Sequence, residues 1–312
     1  MESNGRLCPE KEEEIWEVLN ELEGPEKGRA YYELSNFAFG RGQFHRSLSL
    51  AEMARDLFVD LGQCYEGLAN SQAIVATSFD ALKEHARAID EMKRAVEYFV
   101  EYSVQGERDM RRRLITWLYN EERIEEAFSY ITENIEYAIY EGQDYECAIE
   151  YSKYADGLCE LGKDALAIEK YKLARDRFKD SKNVEKVADM NFMIGRCYNH
   201  IKEPLEAEFY LNRALAVYEA ATLDDDIAKT RSQLGRSAVL QKKYEEALGH
   251  FEVSRKIVLA EEELNYYALY SIQKNMVEAM RGVGWDVEAD LIERRNAVIN
   301  EVLEWGKNEA II

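Results

Sequence analysis

Cysteine, histidine and arginine are the side chains in this 312-residue chain whose spacing bears on chemistry. Cys197 and His200 stand three residues apart, which places them on one face of a helix, and Cys159 precedes them by about one period of the repeat set out below. Two thiols and an imidazole suit a borderline metal ion, but a closed tetrahedral site needs four donors, and no fourth is evident in the spacing. The thiols are therefore read as small apolar core residues, with no metal and no cofactor assigned. His45, His85 and His250 have no Ser or Cys nucleophile at a diagnostic spacing, and GxSxG, P-loop, GxGxxG and HExxH are all missing. With 61 Asp and Glu, carboxylate pairs occur everywhere and say nothing of acid–base catalysis. The reading is non-enzymatic.

The basic residues are more informative because they are scarce. Forty Lys and Arg against the 61 acids leave a net charge of −21, a field that repels polyphosphate, so nucleic acid is excluded as a general partner. Against that background Arg196 and Arg236 lie forty residues apart, with Lys229 and Arg231 near the second, and could present fork-shaped donors to a carboxylate. The alternative is that they pair with Asp189, Asp156 or Glu side chains and hold helices together. Asn36, Asn191, Asn199, Gln233 and Asn275 could hydrogen-bond a peptide backbone, or be solvated surface amides. In Arg111-Arg112-Arg113 three consecutive side chains point three ways on a helix, so Arg112 is the one taken toward a binding wall.

What positions these residues is a repeat. Small residues recur at Ser47, Ala88, Ala127, Ala167, Ala207 and Ala247, 39 to 41 residues apart. Four residues on come Ala51, Met92, Ile131, Tyr171, Leu211 and Phe251, and three further on Ala54, Ala95, Asn134, Ala174, Ala214 and Ser254. Offsets of 0, 4 and 7 share a helical face, so each copy holds a packed helix. Twelve residues before each first position stand Ser35, Ala76, Ile115, Ala155, Gly195 and Gly235, in a second apolar-periodic segment. Two helices per copy follow. Punctuation agrees: Gly62, Gly106 and Gly142 fall between hairpins, Gly40, Gly42 and Gly162 inside them, Pro204 in a first helical turn, and Asp80 and Asn120 are N-cap candidates. Most of the 20 Tyr are read as packing between helices.

The fifth copy reads Ile194-Gly195-Arg196-Cys197-Tyr198, then Leu205, Ala207, Leu211 and Ala214; the sixth reads Leu234-Gly235, then Tyr244, Ala247, Phe251 and Ser254. On these residues the chain resembles the tetratricopeptide repeat, in a long variant with a period near 40 in place of about 34, similar to Gram-positive peptide-sensing regulators. The resemblance runs over about residues 25–306 and implies an all-α fold. The expected architecture is a right-handed α-α superhelix of about seven hairpins, at 25–62, 63–104, 105–142, 143–182, 183–222, 223–262 and 263–306. An acidic capping helix, within residues 1–24, precedes it and a tail, 307–312, follows; Trp305, Ile311 and Ile312 are expected to dock on the last hairpin or to form a homodimer contact.

The function implied by the resemblance is a non-catalytic protein- or peptide-binding scaffold, an intracellular receptor, adaptor or inhibitor acting through a concave groove walled by the first helix of each hairpin. Carried over copy by copy, that wall holds Arg29, Tyr32 and Asn36; Asn70, Ala73 and Thr77; Asp109, Arg112 and Thr116; Ile149, Ser152 and Asp156; Asp189, Phe192, Arg196 and Asn199; and Lys229, Ser232, Arg236 and Val239. The groove residues singled out are Arg112, Asn191, Arg196, Asn199, Lys229, Gln233 and Arg236, and the partner is a protein or peptide offering an acidic or carboxylate group. A cytoplasmic location is expected, because no apolar run approaches the ~20 residues of a membrane span and the first 26 residues carry nine Glu against Arg6 and Lys11. The rival reading is an acidic decoy that imitates nucleic acid to block a DNA-handling protein.

Overall fold

The computed structural model describes residues 15–62, 65–260 and 265–309, and no strand occurs among them. Fourteen helices follow in chain order among the described residues: α1 (Gly24–Gly40) packed with α2 (Phe44–Leu61), α3 (Tyr65–Ala81) packed with α4 (His85–Tyr102), then α5 (Val104–Asn120) and α6 (Ile124–Tyr140), and α7 (Asp144–Glu160) packed with α8 (Asp164–Asp180). The remaining pairs are α9 (Val184–His200) with α10 (Pro204–Ala221), α11 (Asp224–Leu240) with α12 (Tyr244–Ala260), and α13 (Tyr266–Gly282) with α14 (Asp286–Glu309). The chain forms two compact units, residues 1–131 and 132–312. In the first unit α1 touches α3; in the second α9 touches α11 and α11 touches α13, so first helices of successive hairpins run side by side.

The repeat positions are the core. Ser47, Ala88, Ala127, Ala167, Ala207 and Ala247 are each 0% exposed, and every residue four and seven positions on is buried as well. The logic is steric: a small side chain lets the partner helix approach, and the large one beside it fills the remaining space, worth roughly 1.5–3 kcal/mol for a residue such as Phe251 or Leu211. At Gly195 a β-carbon would stand 2.6 Å from Leu211 Cγ, and at Gly235 2.6 Å from Phe251 Cε1, so the helices of these hairpins meet too closely for a side chain.

Each hairpin turns through one residue in the left-handed region: Gly42, Lys83, Glu122, Gly162, Lys202, Lys242 and Gly284. Gly62 and Gly142 take that conformation between hairpins, as do Lys182 and Thr222. Gly106 does not. It lies in the first turn of α5, where a β-carbon would fall 2.4 Å from Phe99 Cδ1, so its smallness serves close approach. Asp80 and Asn120 lie at the C-terminal ends of α3 and α5 and cap nothing; Asp80 instead bonds His85 Nδ1 at 3.0 Å. Side-chain N-caps among the described residues include Ser103, Asn183 and Asn265, accepting from Gly106, Lys186 and Ala268 N–H. Pro204 occupies the first turn of α10, where a missing N–H costs nothing.

Ahead of α1, residues 15–18 are helical, and Leu19 is buried with Ala30, Leu34, Ala38 and Leu50 while Ile15 and Leu22 pack alongside. That segment covers apolar surface of the first hairpin. The part of the capping helix before residue 15, Cys8, Cys64, Ile311, Ile312 and the side chain of Trp305 lie outside the described residues.

Candidate ligand-binding cleft

In the second unit α9, α11, α12 and the start of α13 enclose a cleft of about 320 Å³. Its apolar surface comes from Phe192, Ala228, Val258, Ala268 and Ile272, and its polar groups from Arg196, Asp225, Lys229, Ser232, Gln233, Ser254, Asn265 and Ser271. Spacing of about forty residues produces the convergence: Phe192, Ser232 and Ile272 are equivalent positions, as are Ala228 and Ala268, so three neighbouring first helices aim the same face into one space.

Several of the polar groups are already committed. Ser254 Oγ donates to the Ala228 carbonyl at 2.7 Å, and Asn265 Oδ1 caps the Ala268 N–H. Lys229 Nζ stays loosely beside Asp226 at 3.5 Å, and both are exposed enough for water to screen the pair. Gln233 accepts from Asn199 Nδ2 at its carbonyl oxygen, 2.9 Å, and at Oε1, 3.2 Å, while its own amide N–H groups make no hydrogen bond among the described residues.

Arg196 differs from the rest. It makes no ion pair or hydrogen bond among the described residues, and its Nε is buried without a partner. Asp156 feels the Arg196 charge but accepts its hydrogen bond from the Tyr171 hydroxyl, and Asp189 takes Lys186 at 2.8 Å and the Tyr218 hydroxyl at 2.9 Å. A guanidinium with a dry, unsatisfied N–H beside apolar surface favours an anionic, bidentate acceptor.

Of the other residues singled out from sequence, Arg236 is half-buried on α11 and outside the cleft lining, and Asn191 is buried on α9 with its Oδ1 unsatisfied. Asn199 is buried: it bonds Gln233 as above and its Oδ1 accepts from Ser237 Oγ at 2.8 Å, so it joins α9 to α11. Arg112 belongs to the first unit, half-buried on α5 with Asp109 at 3.9 Å. The cleft residues missed from sequence are Asp225 and Ala228 on α11, Ser254 and Val258 on α12, and Asn265, Ala268, Ser271 and Ile272 at the start of α13. Carrying the forty-residue spacing on from Ala228 and Ser232 into the seventh hairpin would have found Ala268 and Ile272.

A second cluster lies where α7, α8 and α9 meet. Cys159 and Cys197 bring their sulfurs to 3.3 Å, and Asp164 places a carboxylate oxygen within 4.8 Å of both. His200 Nδ1 bonds Asp164 Oδ1 at 3.0 Å. The contact with Cys197 lowers the Cys159 thiol below the ordinary range, helped by the Tyr171 hydroxyl and the Arg196 charge, while the same contact and burial push Cys197 up.

A family model of the tetratricopeptide repeat matches residues 186–260, the stretch that supplies most of the cleft. No curated protein sequence matches the chain. Among solved structures the chain is similar to the apo form of RapI, at 16% identity and a TM-score of 0.64 over 91% of this chain and 84% of that one. It is similar to a signal transduction ATPase with numerous domains that carries a tetratricopeptide repeat sensor, from Pyrococcus horikoshii, at 14% identity and a TM-score of 0.67 over 95% of this chain and 45% of that one. The apo quorum sensor NprR from B. thuringiensis aligns at 13% identity and a TM-score of 0.50, over 93% and 81% of the two chains. These likenesses fix the fold as a long-period tetratricopeptide-type repeat. No described helix is long and apolar enough to cross a membrane.

Proposed function

We propose that this chain is a non-catalytic, cytoplasmic receptor or adaptor that binds a peptide or protein segment in the cleft between α9, α11, α12 and α13, with Arg196 as the anchor for a carboxylate. The observation that carries this is the buried Arg196 Nε without a hydrogen-bond partner, in a cleft that Lys229, the Gln233 amide N–H groups and an apolar floor also line. In that arrangement the cation fixes one end of the ligand, Gln233 donates to a backbone carbonyl, and Phe192, Val258 and Ile272 take an apolar side chain. Two similar structures are described as sensors, one a quorum sensor and one a tetratricopeptide repeat sensor, which supports a ligand-responsive role. A decoy surface would have to be continuously acidic; α8 and α10 instead carry Lys170, Lys172, Arg175 and Arg213 over the rings of Tyr154, Tyr198, Tyr210 and Phe209.

The test is binding to an immobilised library of peptides with free C-terminal carboxylates and to the same library amidated. Wild-type protein should retain a subset of the free-acid peptides, and Arg196→Glu should lose them. A charge-assisted hydrogen bond is worth about 1.5–3 kcal/mol, so Arg196→Ala should weaken binding roughly 10- to 150-fold. Arg236→Glu, outside the cleft, should change it little. Equal capture of free and amidated peptides, or capture indifferent to Arg196→Glu, would remove the carboxylate anchor from consideration.

A further inference from the structure

The thiols and the carboxylate left unused by the cleft converge at a single place on three elements. Cys159 lies in the last turn of α7, Asp164 opens α8, and Cys197 and His200 stand one above the other in the last turn of α9. We propose that Cys159, Cys197 and Asp164 bind a zinc ion directly, with His200 holding Asp164 through Nδ1 and water completing the coordination.

Donor chemistry and geometry carry this. Zinc takes thiolate sulfur at about 2.3 Å and carboxylate oxygen at about 2.0–2.2 Å, so tetrahedral donors stand roughly 3.3–3.8 Å apart. The sulfurs are 3.3 Å apart and the Asp164 oxygen lies within 4.8 Å of both, so rotamer adjustment of about 1 Å closes the site. Electrostatics point the same way. The Asp164 side chain is only 13% exposed and faces two sulfurs, where a carboxylate is costly unless a cation compensates it. The imidazole of His200, 3.0 Å away, is its hydrogen-bond partner. Carboxylates that ligate a metal are in turn hydrogen-bonded by an outer partner, the place His200 Nδ1 takes beside Asp164.

The ion would tie α7, the start of α8 and α9 together at one point. Because Arg196 adjoins Cys197 in the chain, metal occupancy would also fix the backbone from which the cleft's anchor projects.

The experiment uses full-length, reduced, chelator-stripped protein titrated with Co²⁺ and then with Zn²⁺. One Co²⁺ per chain should bind, with the visible bands of a tetrahedral ion and a thiolate-to-cobalt charge-transfer band of two-sulfur intensity that Zn²⁺ abolishes. Cys159→Ser and Cys197→Ser should each halve or abolish the charge-transfer band, and Asp164→Asn should weaken binding without touching the core. His200→Ala should keep the two-sulfur band and lower affinity about 10- to 100-fold, the size expected when an outer-sphere partner is lost. Cys147→Ser, buried elsewhere on α7, should leave the spectrum unchanged, and circular dichroism should confirm that the variants remain helical. Failure of wild-type protein to bind Co²⁺, a band undiminished in Cys159→Ser and Cys197→Ser, or air oxidation to a Cys159–Cys197 disulfide without metal uptake would overturn the proposal.

Discussion

His250 on α12 is enclosed to 19% exposure, with Glu246 at 4.0 Å from Nε2. Burial, and then the Arg231 charge, lower its pKa below the ordinary 6.5, and the weaker pull of Glu246 and Glu208 does not restore it. The folded protein therefore resists a proton that the unfolded chain accepts, and the unfolded state binds more protons as pH falls below 6.5. Stability is fully present above that value and declines below it, until the folded-state pKa is reached. Urea midpoints should fall between pH 7 and pH 5, and His250→Gln should flatten part of that slope; a variant with the wild-type slope would show that His250 does not contribute. At this scale the sequence was legible in part. Spacing on a helix told which residues share a face with Arg196, but not which row of that face meets the next helix. Asn199 stands one turn beyond Arg196, and there α9 and α11 approach closely enough for its amide to be consumed by Gln233 and Ser237.

Helix packing here rests on small residues whose roles differ, and two glycines separate those roles. At Gly195 a β-carbon would meet Leu211 Cγ at 2.6 Å and the Ala207 carbonyl oxygen at 3.1 Å, and the second is backbone that does not yield by rotation. Gly249, inside α12, has nothing within 4 Å. Gly195→Ala should destabilise, with overpacking of about 1–3 kcal/mol opposing a smaller gain in helix propensity. Gly249→Ala should stabilise by roughly 0.8–1 kcal/mol from propensity alone. Denaturant midpoints moving in opposite directions would bear this out; a gain in both would mean that α9 and α10 have slack between them. The same contrast explains what was readable at the level of elements. The 0, 4 and 7 offsets named core residues because a close-packed interface tolerates few alternatives. Turns were harder to read, since Lys83, Glu122, Lys202 and Lys242 adopt the left-handed conformation that Gly42, Gly162 and Gly284 adopt at the equivalent point. The hairpin geometry imposes that φ whatever the residue, at a cost of roughly 1–2 kcal/mol, so glycine marked only some of the turns. Gly106 was misplaced for the converse reason: its value lies in lacking a β-carbon inside a helix.

For the molecule as a whole, α14 is apolar on two sides. Ile292 and Ile299 pack inward against the last core cluster, whereas Val287, Leu291 and Val298 lie 51–80% exposed. Positions 287, 291 and 298 fall on one stripe of the helix, and Arg294 lies between the last two on the same side. A self-complementary stripe of this kind suits an isologous contact between two copies about a two-fold axis. Such an association would work against charge, because each copy brings −21. The sign of the salt effect follows. If apolar burial along α14 drives pairing, added salt screens the repulsion over about 10 Å at 0.1 M and tightens the dimer, whereas an interface held by ion pairs would loosen. Light scattering on the full chain should give twice the 36.2 kDa of one copy, with the dimer fraction rising from low to physiological salt. Leu291→Glu combined with Val298→Glu should return the single-chain mass at every salt concentration while leaving the peptide affinity of the Arg196 cleft unchanged, since none of these residues lines it. A wild-type protein that stays at 36.2 kDa throughout would remove the homodimer and leave the stripe as surface for a different partner.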